Sequence, residues 1–152
     1  MLPEIEAQAA FLTNETRSVL KDELSWAQSF TSESKPEPTC LVCTDTHPGN
    51  FLIDTNNKAI IVDLEKALYG SPSVDLAHLS VYTSTTWDLN ASAVLSIEDV
   101  QSFYLSYLNT SHKAELISPW LIPMRRLLSL RALTWCAMWL SQHKSAQSGW
   151  SK

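Results

Sequence analysis

The middle of the chain reads Cys43-Thr-Asp-Thr-His-Pro-Gly-Asn50 and, a little further on, Ile61-Val-Asp-Leu-Glu65. The first stretch follows a short apolar strand at residues 41–42, and its polar residues with Pro-Gly predict a loop. Apolar runs at residues 51–53 and 59–62 bracket Asp54-Thr-Asn-Asn-Lys58, whose turn chemistry predicts a β-hairpin. A hairpin folds the chain back on itself, so Asp63 is expected to return to the neighbourhood of Asn50.

Oxygen ligands should therefore meet at this end of the hairpin. Carboxylate and amide oxygens of this kind suit Mg²⁺. Phosphoryl transfer uses such a group, because one carboxylate orients the attacking hydroxyl and takes its proton while others hold the metal that bridges the phosphates. Asp45 would be the base, and Asn50 and Asp63 would be the metal ligands. A third carboxylate, Glu65, is close enough in sequence to contact metal or substrate.

Three blocks of the chain match a known pattern in order and at fitting separations. In aminoglycoside phosphotransferases, choline kinases and their relatives a loop H-G-D-x-H-x-x-N precedes a hairpin, I-D-[WFL]-E and G-[DS]-P-x-x-D-L-A. This chain reads C-T-D-T-H-P-G-N, then V-D-L-E, then Gly70-Ser-Pro-Ser-Val-Asp-Leu-Ala77. The chain resembles this family tightly over residues 40–80 and more loosely in the flanking helices.

The resemblance implies an α+β fold of the protein-kinase-like type, mostly helical, with a small β-hairpin sheet that carries the catalytic loop. By position, Asp45 corresponds to the catalytic aspartate, and Asn50 and Asp63 correspond to the two metal ligands. His47 corresponds to the loop histidine that holds the shape of the loop. Asp75 corresponds to the helix-start aspartate that braces the loop. The implied co-substrate is ATP, together with Mg²⁺.

The chain departs from the family pattern in two ways. Cys43 stands where the family has histidine and Thr44 where it has glycine, so we expect altered loop packing without loss of chemistry. The family also places an N-terminal lobe, with a phosphate-covering loop and a strand lysine, upstream of this segment. Here 44 residues precede Asp45, they read as helix, and no glycine occurs before Gly49. We therefore expect residues 1–152 to form a single domain, a C-terminal lobe whose N-terminal lobe is absent or belongs to a partner chain.

The expected activity is transfer of the ATP γ-phosphate to a hydroxyl of a small molecule such as an aminoglycoside, choline or ethanolamine. On that reading the isolated chain should bind Mg·ATP poorly. Two alternatives stay open. One is a non-catalytic C-lobe fragment that serves as a binding or scaffold module. The other is a metal-dependent phosphohydrolase that uses Asp45, His47 and Asp63.

Composition and charge argue against other classes of protein. The formal net charge of -5 is unsuited to a nucleic-acid partner. The start of the chain is acidic, and the most apolar stretch, residues 127–140, contains Arg131 and falls short of the roughly 20 residues of a membrane span. We therefore expect a cytoplasmic protein with no membrane partner. Cys40 and Cys43 form a C-x-x-C in a predicted strand, and small buried side chains explain them better than metal or redox chemistry.

The remaining residues predict helices. Residues 3–30 read as helix with a break, after which Thr13 or Asn14 can cap a second segment. A further helix begins at Asp75. Ser96 to Asp99 resembles a capping box and opens a helix through Leu108. The last helix is expected to start near Ser118-Pro119, with its regular part delayed by Pro123.

Overall fold

The computed structural model describes residues 13–30, 38–86 and 92–142, with side chains described as far as Cys136. The helices are α1 Asn14–Phe30, α2 Pro72–Ser80, α3 Tyr82–Thr85, α4 Ile97–Thr110 and α5 Ala114–Gln142. The strands are β1 Cys40–Val42, β2 Phe51–Ile53, β3 Ala59–Ile61 and β4 Leu68–Gly70. The architecture is α+β and mostly helical, as the sequence predicted.

The chain divides into two compact units. One contains α1 together with α5 from Leu130 onward, and the other comprises residues 35–129. Helix α1 begins where the sequence predicted a cap, because the Thr16 N–H donates to Thr13 Oγ1 at 3.2 Å. The predicted helix over residues 3–12 lies outside the described residues. All the predicted site residues belong to the second unit.

The predicted hairpin is present. Strands β2 and β3 pair antiparallel, with Phe51 opposite Ile61 and Ile53 opposite Ala59. The turn between them is closed by the Asp54 carboxylate, which accepts from the Asn56 and Lys58 backbone N–H groups at 2.8 Å each. This local closure explains why the turn was predictable from sequence, since aspartate and asparagine side chains hydrogen-bond their own turn.

A second pairing was missed by the sequence prediction. Strand β1 pairs antiparallel with β4, with Cys40 opposite Gly70 and Val42 opposite Leu68. The small sheet predicted around the hairpin is therefore two separate two-stranded sheets, and the loop predicted to carry the base leaves β1, outside the hairpin's sheet. A Cβ on Gly70 would lie 3.1 Å from Val42 Cγ2, so glycine permits the close approach of the two strands.

The start of helix α2 differs from the prediction, whereas that of helix α4 agrees with it. Helix α2 begins at Pro72 instead of Asp75, because Ser71 accepts from the Ser73 N–H at 3.2 Å and a proline suits the first helical position. Helix α4 opens with the predicted capping box, in which Ser96 and Asp99 exchange side-chain to backbone hydrogen bonds.

Helix α5 starts at Ala114 and runs through both Pro119 and Pro123, contrary to the prediction that it would start near Ser118-Pro119 with its regular part delayed by Pro123. A proline inside a helix removes one hydrogen bond and costs about 3 kcal/mol. This stretch stays helical because the helical conformation places Ile117 and Leu121, each 3% exposed, in the core. Tertiary packing thus overrides the local signal.

The core of the second unit joins α2, α4 and α5. Its buried cluster consists of Leu76, Val100, Tyr104, Ile117 and Leu121. Polar contacts extend this packing to the end of α2, because Tyr104 Oη lies 2.8 Å from Ser80 Oγ and the Arg125 guanidinium donates to the Ser80 carbonyl at 3.2 Å. Helix α2 is therefore fixed along its length, and with it the aspartate in its first turn.

The hairpin keeps apolar side chains in contact with solvent. Leu52 and Ile53 are 56% and 63% exposed although they point to opposite faces of β2, and Ile60 is 45% exposed. None of the helices in the described parts of the chain combines the length and apolar character needed to cross a membrane.

Replacing Leu121 with alanine should lower the free energy of unfolding by about 3 kcal/mol, because a fully packed leucine leaves a cavity. Urea unfolding followed by circular dichroism measures the change. Leu116→Ala on the same helix is the matched control, since Leu116 is 50% exposed, and should cost about 1 kcal/mol or less. Equal losses for the two variants would contradict the proposed core.

Candidate active site

One carboxylate holds the start of the loop between β1 and the hairpin. Asp75 Oδ2 accepts from the Cys43 N–H at 2.7 Å, and Asp75 Oδ1 accepts from the Thr44 N–H at 2.8 Å. The Asp75 carbonyl also accepts from Thr46 Oγ1 at 3.1 Å. The first turn of α2 therefore binds three residues around Asp45, two before it and one after it.

Thr44 has a left-handed backbone, with φ of 63°. This conformation is unfavourable for a β-branched residue and is usually left to glycine. Two hydrogen bonds accompany it, one from the Thr44 N–H to Asp75 and one from Thr44 Oγ1 to the Lys66 carbonyl at 3.0 Å. The hydroxyl thus ties the loop to the segment that follows β3, a contact that glycine at this position could not make.

His47 caps the 3₁₀ turn Pro48–Asn50 that ends the loop. Its Nδ1 accepts from the Gly49 N–H at 3.1 Å, so the neutral ring carries its proton on Nε2. A Cβ on Gly49 would lie 2.8 Å from His47 Cε1, which leaves no room for another residue there without a shift. In this arrangement the imidazole shapes the turn, and its second nitrogen is the one left for other contacts.

Asn50 connects the two halves of the site. Its side-chain Nδ2 donates to the Asp45 carbonyl at 2.8 Å, and its backbone carbonyl accepts from the Val62 N–H at 2.9 Å. The first bond leaves Oδ1 as the acceptor atom of the amide. The second bond extends the hairpin pairing by one step and brings the residue before Asp63 against Asn50.

Asp63 follows this pairing and also has a left-handed backbone, with φ of 61°. Aspartate tolerates this conformation better than most residues, and backbone outliers of this kind are frequent at functional sites. The side chains of Asp63 and Glu65 are exposed to solvent. Among residues 13–30, 38–86 and 92–142, no three His, Cys, Asp or Glu side chains lie close enough together to hold a metal ion.

Asp45, the predicted base, forms an ion pair that sequence reasoning missed. Lys66 Nζ lies 2.6 Å from Asp45 Oδ2. Its hydrogen bond and its charge lower the pKa of the Asp45 carboxyl, with smaller contributions from His47 and His78. The same contact raises the pKa of Lys66, as do the nearby charges of Glu65 and Asp63. Lys66 adjoins the V-D-L-E block, which is the signal that could have drawn attention to it.

A second missed neighbour of the loop is His78, in α2. The Thr46 hydroxyl uses its one proton to donate to the Asp75 carbonyl. In its 3.4 Å contact with His78 Nδ1 the hydroxyl oxygen is therefore the acceptor and the ring nitrogen is the donor. Thr46 is 2% exposed. The contact adds a further link between α2 and the loop.

Cys40 and Cys43 are unpaired and half-buried. Burial, followed by the negative charge of Asp75, raises the pKa of both thiols. Reactive cysteines need the opposite shift, because the thiolate is the nucleophile and the metal ligand. The surroundings of these thiols therefore disfavour the thiolate, and their side chains are less buried than the sequence predicted.

Comparison with known proteins identifies a family for this chain. The family model of the phosphotransferase enzyme family matches residues 3–103, about two thirds of the chain, and this range includes every site residue described above. Neither a curated protein nor a solved structure matches the chain.

The backbone strain at Thr44 can be measured with two variants. Thr44→Gly and Thr44→Ala both remove the hydroxyl, but only glycine adopts the left-handed backbone without strain. We expect the glycine variant to be more stable than the alanine variant by about 1 kcal/mol in urea unfolding.

The same two substitutions at Ser102, an exposed position inside α4, provide the control for Thr44. There the order should reverse, because glycine in a helix interior is less stable than alanine by about 1 kcal/mol. If alanine were the more stable substitution at Thr44 as well, the backbone there would carry no strain.

Replacing Lys66 with methionine should raise the pKa of the Asp45 carboxyl, because the hydrogen bond and charge that lower it are removed. Carbon-detected NMR of the Asp45 carboxyl, titrated with pH in metal-free buffer, measures this. In the unmutated protein the stabilisation from Asp45 is present above the ordinary carboxyl pKa and is lost as pH falls through its lowered pKa. At the alkaline end the stabilisation from Lys66 is lost as pH rises through its raised pKa.

Lys58→Met is the matched control for this titration. Lys58 lies exposed beside the hairpin turn, so its removal changes the net charge equally without touching Asp45. An Asp45 pKa that responded alike to both variants would show a general charge effect instead of a specific ion pair.

Proposed function

The chain belongs to the phosphotransferase enzyme family, and on that premise we propose that it transfers the γ-phosphate of ATP to a hydroxyl group of a small molecule. The observation that carries the proposal is the double role of Asn50, which is hydrogen-bonded to the backbone of Asp45 and to that of Val62. These bonds support a single site built from the loop and the end of the hairpin.

Asp45 would act as the base. Its side chain is 25% exposed, so an acceptor hydroxyl can reach the carboxylate. Lys66 lowers the pKa of Asp45 and thus keeps the group ionised, which is the form that orients a hydroxyl and accepts its proton. The fixed backbone on both sides of Asp45 supports this role, because the catalytic effect of such a group depends on its position.

The residues fit Mg²⁺ in the chemistry of their donors. Asn50 Oδ1 and the exposed carboxylate of Asp63 are hard oxygen ligands, and Glu65 supplies another oxygen nearby. Mg²⁺ is usually held by one or two carboxylates together with water and substrate phosphates, so a cluster of three protein carboxylates is not needed. When bound, the ion would neutralise the phosphate oxygens. Asn50 and Asp63 would fix its position relative to Asp45.

We further propose that the described residues correspond to the C-terminal lobe of such an enzyme. The glycines among them, Gly49 and Gly70, are used in the 3₁₀ turn and in β4, so neither belongs to a phosphate-covering loop. Cover for the nucleotide would come from elsewhere, either from residues outside the described ranges or from a partner chain. With the open site alone, Mg·ATP should bind weakly, with a Kd on the order of 1 mM.

Asp45→Asn should lower kcat for phosphotransfer by about 100-fold or more, because general bases contribute factors of about that size. The assay follows ADP formation with a panel of hydroxyl acceptors, and mass spectrometry identifies the phosphorylated product. Asp22→Asn, the same change on the exposed surface of α1, is the matched control and should leave kcat unchanged.

The outcomes separate the alternatives. Full activity of Asp45→Asn would remove the proposed base. Phosphate released from ATP with no phosphorylated acceptor would favour a phosphohydrolase. Binding of Mg·ATP at the loop without turnover for any acceptor would favour a non-catalytic binding module.

A further inference from the structure

We propose that Lys66 is a phosphate-binding residue that contacts the phosphoryl group being transferred, and that Thr44 positions it. This inference rests on the proposed function, because it assigns a further residue to the same site. Lys66 lies just outside the sequence blocks that identify the base and the metal ligands, and Thr44 stands in the first block where the family has glycine. The structural basis is the way in which both ends of Lys66 are attached to the loop that carries Asp45.

The backbone and the side chain of Lys66 are held separately. The Lys66 carbonyl accepts from Thr44 Oγ1 at 3.0 Å, and Lys66 Nζ donates to Asp45 Oδ2 at 2.6 Å. Thr44 and Asp45 are adjacent, so the lysine is fixed against one short piece of the loop. Thr44 makes its contact in a left-handed conformation that is unfavourable for threonine. The strained residue and the lysine are therefore linked directly.

The position of Nζ is set by the chemistry of the base. A base acts within about 3 Å of the hydroxyl it deprotonates, and that hydroxyl attacks phosphorus from about 3–3.5 Å away. A cation in contact with Asp45 is thus within reach of the phosphate oxygens, since the lysine stem is long and flexible. Asp45 occupies one of the three ammonium donors, and two are left for an incoming phosphate.

Charge and exposure also favour a ligand. The Lys66 side chain is 59% exposed, and an exposed ion pair contributes little to stability. Its neighbours Asp63 and Glu65 are acidic, so a phosphate approaching this end of the hairpin meets a mainly negative surface. Catalysis of phosphoryl transfer consists mostly of positioning and charge stabilisation, and a lysine is a common point charge for phosphate. Lys66 supplies a positive charge next to the base.

The test compares Mg·ATP with Mg·ADP, which lacks the γ-phosphate. Each is titrated to tens of millimolar into the isotope-labelled full chain, and NMR follows the Lys66 side chain together with Asn50 and Asp63. In the unmutated protein we expect the Lys66 side-chain signals to move with Mg·ATP and much less with Mg·ADP. This comparison needs no substitution, so it does not depend on how a variant folds.

Variants give the second measurement. Lys66→Met should weaken Mg·ATP binding about tenfold, the value of one charge-assisted hydrogen bond, and change Mg·ADP binding less than about twofold. Lys66→Arg should retain most of the affinity for Mg·ATP. Lys58→Met, which removes the same charge at the hairpin turn, should alter neither nucleotide.

Each of the following outcomes would contradict either the phosphate contact of Lys66 or the proposed function itself. If Asn50 and Asp63 respond to Mg·ATP while Lys66 does not, or if Lys66→Met weakens ATP and ADP equally, the phosphate contact is wrong and the proposed function stands. If Lys66→Met strengthens binding or raises turnover, the lysine blocks the base instead of assisting it. If Mg·ATP moves none of these signals, the proposed function fails and the inference fails with it.

Discussion

The carboxylate of Asp75 is the constraint on which the rest of the site depends. It accepts hydrogen bonds from two consecutive backbone N–H groups, those of Cys43 and Thr44, which are in the segment that leaves β1. A bond between a charged acceptor and a backbone donor is among the stronger hydrogen bonds in proteins, and here there are two. The loop can hold Asp45 in place because its own backbone has no freedom at these positions.

This constraint is only as firm as the helix that supplies it. Asp75 lies in the first turn of α2, and the next residue, Leu76, is 5% exposed in the core. The far end of the helix is held by Tyr104 and Arg125 through Ser80. Packing of the core thus fixes the position of α2, and the position of α2 in turn fixes the geometry of the loop.

Local chemistry in the sequence was sufficient for some elements of this arrangement. The hairpin was predictable because the Asp54 side chain closes its own turn. The start of α4 was predictable because Ser96 and Asp99 form a capping box. Strand β4 was not predictable, because its three residues show no periodicity and its partner β1 lies about thirty positions away. The long helix α5 was mispredicted at its start because burial of Ile117 and Leu121 outweighs the local effect of two prolines.

The residues of the candidate site likewise divide into those that the sequence predicted and those that it did not. The predicted hairpin together with the family resemblance selected Asp45, Asn50 and Asp63, and the hydrogen bond between Val62 and Asn50 agrees with the predicted return of the hairpin. Lys66 escaped notice because its ion pair joins side chains 21 positions apart. A lysine in a turn carries no pattern of its own, so only the folded chain could give it a partner.

The contacts that organise the loop also have a consequence for how the chain folds. They join residues 5, 21 and 32 positions apart, and all lie between Cys43 and Asp75. Closing the longest of these loops costs only about 1.6 kcal/mol more in chain entropy than closing the shortest. Assembly of the loop thus requires no pairing between distant parts of the polypeptide. The loop contacts are thus local in sequence, whereas the helix that supplies Asp75 still depends on the core formed with α4 and α5.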